Sequence, residues 1–150
     1  MRECRFNGCD LSVVKLTNSR FADTAFKGCK LLGVDWTLAG DTGATKLPLG
    51  VAFEDCVLNL CSFIGLPLKG VRLLRCSAHE ADFSEADLSN ADCRESDFTS
   101  ARFVSTNLTG ADFTGARNYR IDPRSARLRR ARFSLPEALA LLEPFGIELS

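Results

Sequence analysis

The chain has 150 residues with 19 Lys plus Arg against 19 Asp plus Glu, so no whole-molecule field draws it to nucleic acid or an anionic membrane. That length suits one ordinary domain or one rod of repeats, and no apolar run approaches the ~20 residues of a membrane span. Seven cysteines, an odd number, suit a reducing compartment, and Met1-Arg2-Glu3-Cys4-Arg5-Phe6 has no apolar stretch of signal-peptide length, so a cytoplasmic location is expected.

From the start a large apolar residue, here termed a centre, recurs every fifth position: Phe6, Leu11, Leu16, Phe21, Phe26, Leu31 and Trp36. A period of five is neither the 3.6 of a helix nor the 2 of a strand. Self-similarity at a fixed short spacing points to a stacked, quasi-one-dimensional repeat rod. Over 37–50 (TLAGDTGATKLPLG) the register fails, and Gly40, Asp41, Gly43 and Pro48 are loop chemistry. The pattern resumes at Phe53, and the interval from Trp36 reads as three pentads plus two positions. A two-residue insertion is therefore expected to bulge outward, because stacked coils cannot shift register.

From Phe53 the centres continue at fives to Phe133, giving 24 pentads by register. Twenty of the centres are Phe, Leu or Trp, and ten of the eleven Phe are centres, so these side chains share one buried environment. The pattern is most regular over 81–115 (ADFSE ADLSN ADCRE SDFTS ARFVS TNLTG ADFTG), where the residue two before each centre is small and the one between is usually Asp. Cys4, Cys9, Cys29, Cys56, Cys61 and Cys76 fall on that small position, and Cys93 on a centre. They read as small buried hydrophobes. No Cys-x-x-Cys occurs and the lone His79 lies on an outward position without an obvious partner, so no metal and no cofactor is expected. Cys9/Cys29 and Cys56/Cys76, each pair four pentads apart, are placed to stack in adjacent coils.

Over 116–125 the pattern weakens, with Asn118 and Pro123 at centres, and a bulge exposing Tyr119 is expected. Two pentads follow. Ser134-Leu135-Pro136-Glu137 then matches a helix capping box, and Ala138, Leu139, Leu141, Leu142 and Phe145 follow at helical spacing until Pro144 and Gly146 stop the helix. The expected organisation is a repeat rod over 1–133, broken by a loop at 37–50, and a capping helix with tail over 134–150.

Acids gather at Glu80, Asp82, Glu85, Asp87, Asp92, Glu95 and Asp97; Arg117, Arg120, Arg124, Arg127, Arg129, Arg130 and Arg132 follow with only Asp122 among them. The rod is thus a dipole along its axis. The plain reading is that each Asp orders its turn and that Arg from a neighbouring coil pairs with it, as Asp97/Arg117 and Asp112/Arg132.

The Ala-Asp-Phe/Leu pentads resemble the pentapeptide-repeat family over about residues 4–36 and 51–133. The resemblance implies an all-β solenoid, a right-handed quadrilateral β-helix with one pentad per face and four to a coil, closed by a short C-terminal α-helix. Periodicity alone gives the pentad and not the four sides, since Cys61 and Cys76, three pentads apart, suit a triangle equally. If four-sided, the rod is about 29 Å long at ~4.8 Å per coil. Arg75-Cys76-Ser77-Ala78 leading into Ala81-Asp82-Phe83, and Leu141-Leu142-Glu143 with Gly146-Ile147, look like the Qnr-type, gyrase-protecting members. That similarity implies a homodimer through Leu139, Leu142 and Phe145 of the terminal helix.

The leading functional expectation is a non-enzymatic scaffold that binds an unidentified protein through its faces and loop, with the seven acids and Asp41 as candidate contacts. The alternative is a DNA-mimicking protein of quinolone-resistance type whose partner is DNA gyrase. Nucleic-acid binding through 117–132 ranks third and is held unlikely for a neutral chain, and no membrane partner is expected. Catalysis ranks last: the chain has no Gly-rich phosphate loop, no Gly-x-Ser-x-Gly and no metal-ligand spacing.

Overall fold

The computed structural model describes residues 3–17, 19–39 and 50–148. Six short strands appear: β1 (Arg5–Asn7), β2 (Thr24–Lys27), β3 (Val51–Glu54), β4 (Arg72–Leu74), β5 (Asp112–Phe113) and β6 (Arg132–Phe133). β1 to β4 form one parallel sheet in chain order and β5 pairs with β6, also in parallel. The register advances by four pentads per coil, with Phe6 beside Phe26, Phe53 beside Leu73 and Phe113 beside Phe133. Single-residue bridges carry the same step round the other sides, from Ser62 to Asp82, Asp87 to Asn107 and Asp97 to Arg117. Each coil therefore has four sides, and the triangle is excluded. The architecture is a parallel β solenoid.

One coil departs from the step. Phe26 lies beside Phe53, Lys30 beside Val57 and Asp35 beside Ser62, each seven positions beyond the regular advance. The insertion therefore holds seven residues rather than two, and the interval from Trp36 to Phe53 is two pentads plus seven. Counting by fives could not separate these cases, because seven and two leave the same remainder. Ahead of it, Trp36–Leu38 makes one turn of 3-10 helix capped by Asp35, whose Oδ1 accepts the Thr37 N–H at 3.0 Å.

Every described centre from Leu16 to Phe113 is buried, and among the Phe and Leu centres the end ones, Phe6, Leu11, Leu128 and Phe133, are partly open. Rings on one side stack coil on coil, Phe6–Phe26 at 5.0 Å and Phe26–Phe53 at 5.3 Å between centroids. On the opposite side Trp36, Phe63, Phe83 and Phe103 stack likewise, with Phe63–Phe83 at 5.0 Å and Phe83–Phe103 at 5.3 Å. The two stacks meet edge to face across the tube, as Phe53 does with Phe63 at 6.2 Å.

The small inward position has a second task. Cys29 Sγ donates to the Phe6 carbonyl, Cys56 to Phe26, Cys61 to Leu31, Ser96 to Leu73 and Thr106 to Phe83. In each case the acceptor is a centre of the preceding coil. A narrow tube admits only small side chains here, and a thiol or hydroxyl that enters it finds a hydrogen-bond acceptor in that carbonyl rather than being buried without a partner.

Two expectations near the end change. Asn118 is exposed at a corner with φ +60°, and Tyr119 is the buried residue, at 2% exposure, its ring 5.8 Å from Phe113 and 5.3 Å from Phe133. A one-residue bulge moves the centre from 118 to 119, because the interior accepts an aromatic ring and rejects an amide. Ile121 is buried beside the half-buried Pro123.

The terminal element, Glu137–Phe145, is a 3-10 helix rather than an α-helix, and its capping box does not form. The Ser134 hydroxyl accepts instead the N–H of Gly115 on the previous coil at 2.9 Å. Pro144 lies inside the helix, which ends at Gly146 with φ +67°. Among its apolar residues Leu141 packs on the core.

Candidate partner-binding surface

The seven acids do not form one patch. Asp82, Asp87, Asp92 and Asp97 precede four consecutive centres, so one lies on each side of a single coil. Glu80, Glu85 and Glu95 stand at three of its corners in left-handed conformation, with φ of +58°, +61° and +58°. Together they make a belt round the rod at one level. Asp41 lies outside the described residues.

Much of the belt serves its own turns. Oδ1 of Asp82, Asp87, Asp92 and Asp97 accepts the N–H of Ser84, Ser89, Arg94 and Thr99 at 2.9, 3.0, 3.2 and 3.1 Å. Asp92 is further held by the Arg94 guanidinium at 2.8 and 2.9 Å, which keeps its carboxyl below the usual carboxylate range. Asp97 is the most heavily engaged. His79 Nε2 lies 2.9 Å from its Oδ2, Asn118 Nδ2 donates to its Oδ1 at 3.1 Å, and Arg117 stands 3.9 Å away. Burial pushes the Asp97 carboxyl up, yet hydrogen bonds from Thr99, Asn118 and His79 outweigh it and leave it well below the ordinary value. His79 is thus partnered after all; separation along the chain hid a contact between adjacent coils. Asp112 and Arg132 are neighbours in the ladder, but their charged groups do not pair.

Asp82 and Asp87 accept only from their own turns and make no ion pair within the described residues, so they are the aspartates of the belt without a cationic partner, with Glu80 and Glu85 between and beside them.

A feature that residue-type reasoning missed lies in the earlier coils. Val13 (75% exposed) and Leu60 (59% exposed) occupy the same corner, with Gly33 between them. The register is set by the N–H of Val13 on Leu32 and of Gly33 on Asn59, and a Cβ at Gly33 would lie 3.4 Å from Val13 Cγ1. Leu38 and Ile64 are exposed near the next corner. Only the four-pentad step, with its seven-residue insertion, brings these positions into one ridge. On the terminal helix Leu139 and Phe145 are exposed, Leu142 is half-buried, and the Arg124 guanidinium lies 5.4 Å from the Phe145 ring centroid. Among the described residues no group of three or more His, Cys, Asp or Glu is arranged to hold a metal, and no helix is long and apolar enough to cross a membrane.

The family model for pentapeptide repeats matches residues 1–35 and 79–116, in eight copies. Comparison with curated protein sequences gave no match. Among solved structures, a trypsin-treated form of QnrB1, a plasmid-mediated fluoroquinolone resistance protein, aligns over 100% of this chain and 91% of its own, at 19% identity and a TM-score of 0.40. Full-length QnrB1 aligns over 98% and 99%, at 16% identity and 0.32. A pentapeptide repeat protein from the Arabidopsis thaliana thylakoid lumen aligns over 77% and 65%, at 21% identity and 0.35.

Proposed function

We propose that this chain, which belongs to the pentapeptide-repeat family, is a non-enzymatic scaffold that presents a rigid surface to another protein in the cytoplasm. Its coils wind in the right-handed sense that the family resemblance implies. The observation that carries the reading is the ridge at Val13, Leu60 and Ile64. Large apolar side chains stand in water there while the centres Leu31, Leu58 and Phe63 close by are buried. A protein interface needs an apolar centre with a charged rim, and Asp82, Asp87, Glu80 and Glu85, none of them ion-paired among the described residues, lie on the next coils along the rod. Capture from a bacterial lysate with the wild-type chain and with a Val13→Asp, Leu60→Asp variant tests this. The reading expects a partner held by the first and lost by the second, and the same bands on both would refute it.

The alternative partner, DNA gyrase, rests on the Qnr-type resemblance of 75–83 and of Leu141-Leu142-Glu143 with Gly146-Ile147. Duplex DNA places one charge every ~1.7 Å along its axis, whereas the acids here circle one coil, so mimicry is the weaker of the two readings. A supercoiling assay with fluoroquinolone decides it, with no protection and no gyrase binding removing it. A homodimer through the terminal helix is supported by Leu139 and Phe145, exposed at 42% and 49%. Light scattering that gives a monomer for the wild type at high concentration would overturn it.

A further inference from the structure

We infer that the last coil binds a phosphodiester backbone, with Arg127, Arg129, Arg130 and Arg132 as its phosphate contacts. Between 117 and 132 every exposed side chain is an arginine apart from Asn118 and Ser125. Arg117 is engaged by Asp97 at 3.9 Å, and Arg124 by Asp122 at 3.0 Å. Arg127, Arg129, Arg130 and Arg132 have no carboxylate partner among the described residues. They are also contiguous. Arg127 stands on one side of the coil, bridged to Asn107; Arg132 stands on the next side, beside Asp112; Arg129 and Arg130 form the corner between them.

Arg130 is left-handed, with φ +61°. The residues stacked on it in the preceding coils are Gly110, Asn90 and Gly70, in the register set by the N–H of Gly110 on Arg129, of Asn90 on Thr109 and of Gly70 on Ser89. Glycine and asparagine tolerate that conformation more readily than arginine, which adopts it here as Leu60, Arg75 and Glu80 do at other corners.

The partner's chemistry follows from what the patch has and lacks. All seven basic residues over 117–132 are arginine, whose planar fork matches phosphate oxygens, and none is lysine. No exposed apolar side chain lies within 117–132, so the patch itself lacks the apolar centre of a protein interface; the nearest exposed apolar residue along the chain is Leu135, three positions beyond Arg132. A phosphodiester chain needs only cations at its spacing. Overall neutrality, which ranked nucleic acid low on sequence, does not oppose this. Asp112, one coil away beside Arg132, is the one ladder acid within reach and makes no ion pair with it, while Asp87 and Asp92 lie two coils away, about 10 Å, beyond the ~8 Å screening length at physiological salt.

Fluorescence anisotropy of the full chain with a labelled duplex and a labelled single strand, each of about 20 nucleotides per strand, over 50–300 mM salt tests the assignment. Four phosphate contacts predict a log K against log salt slope of about −3.6 for duplex and about −2.8 for single strand. Binding of either form with such a slope supports the proposal, and the two arms show which form the corner accepts. The variant R127Q/R129Q/R130Q/R132Q should lose at least tenfold in affinity, while Arg75→Gln should not. Arg130→Gly should keep or raise the melting temperature and still weaken binding, which separates loss of contact from loss of fold. No anisotropy change with either oligonucleotide at 50 mM salt would overturn it. So would a slope near zero, unchanged affinity in the fourfold variant, or equal competition by polyglutamate of matched charge.

Discussion

His79 on one coil and Asp97 on the next meet at 2.9 Å between Nε2 and Oδ2, and the same carboxylate also accepts from Thr99 and Asn118. One side chain thereby ties three successive coils. Its folded value lies below the unfolded value near 3.8, so its contribution is complete above about pH 4 and is lost as pH falls through the lowered folded value. Asp97→Asn should cost about 2 kcal/mol at pH 7. The difference from wild type should shrink toward pH 2, as measured by denaturant unfolding. A difference of the same size at both pH values would contradict this.

Phe98 and Val104 separate inside from outside. Phe98 is fully buried with rings of Phe103 and Phe113 each 5.4 Å away, whereas Val104 is 50% exposed. Phe98→Ala should lose about 3–5 kcal/mol, and Phe98→Asp should not fold. Val104→Ala should stay within about 0.5 kcal/mol of wild type. Equal losses for the two alanine variants would place the aromatic ladder wrongly.

Tyr119 is buried and its hydroxyl has no hydrogen-bond partner among the described residues. Burial, with Glu137 nearby, pushes that hydroxyl up to about 12. Removing an unpaired buried polar group while keeping the ring should be neutral or stabilising by about 1 kcal/mol. Tyr119→Phe should therefore melt at or above the wild-type temperature, and a clear drop would reveal a partner for the hydroxyl.

The repeat was legible because one residue type falls into one position: the Phe ladder and the small inward residues announce a narrow tube. What stayed hidden depended on stacking. The insertion size was lost because counting by fives cannot tell seven from two. His79 lacked a visible partner because Asp97 is remote along the chain, and the two become neighbours only once four pentads close a coil. Tyr119 was misplaced because a corner can absorb one extra residue whenever the next ring fits inside. The capping box at Ser134 does not form, and its hydroxyl accepts instead the Gly115 N–H from the coil before. The candidate surface was less legible still: the acids cluster along the chain, yet winding distributes them round four sides, while the same winding gathers Val13 and Leu60 from either side of the insertion.

Thiol reactivity in the native state tests the tube most directly. Cys29, Cys56, Cys61, Cys76 and Cys93 are buried, whereas Cys4 and Cys9 are only partly so. Burial pushes the Cys93 thiol far above its ordinary value, and does the same to Cys61, up to about 11. An aromatic disulfide reagent at pH 8 should label Cys4 and Cys9 quickly, and the other five only at the rate of unfolding. Labelling of Cys93 as fast as Cys9 in the folded chain would contradict the account.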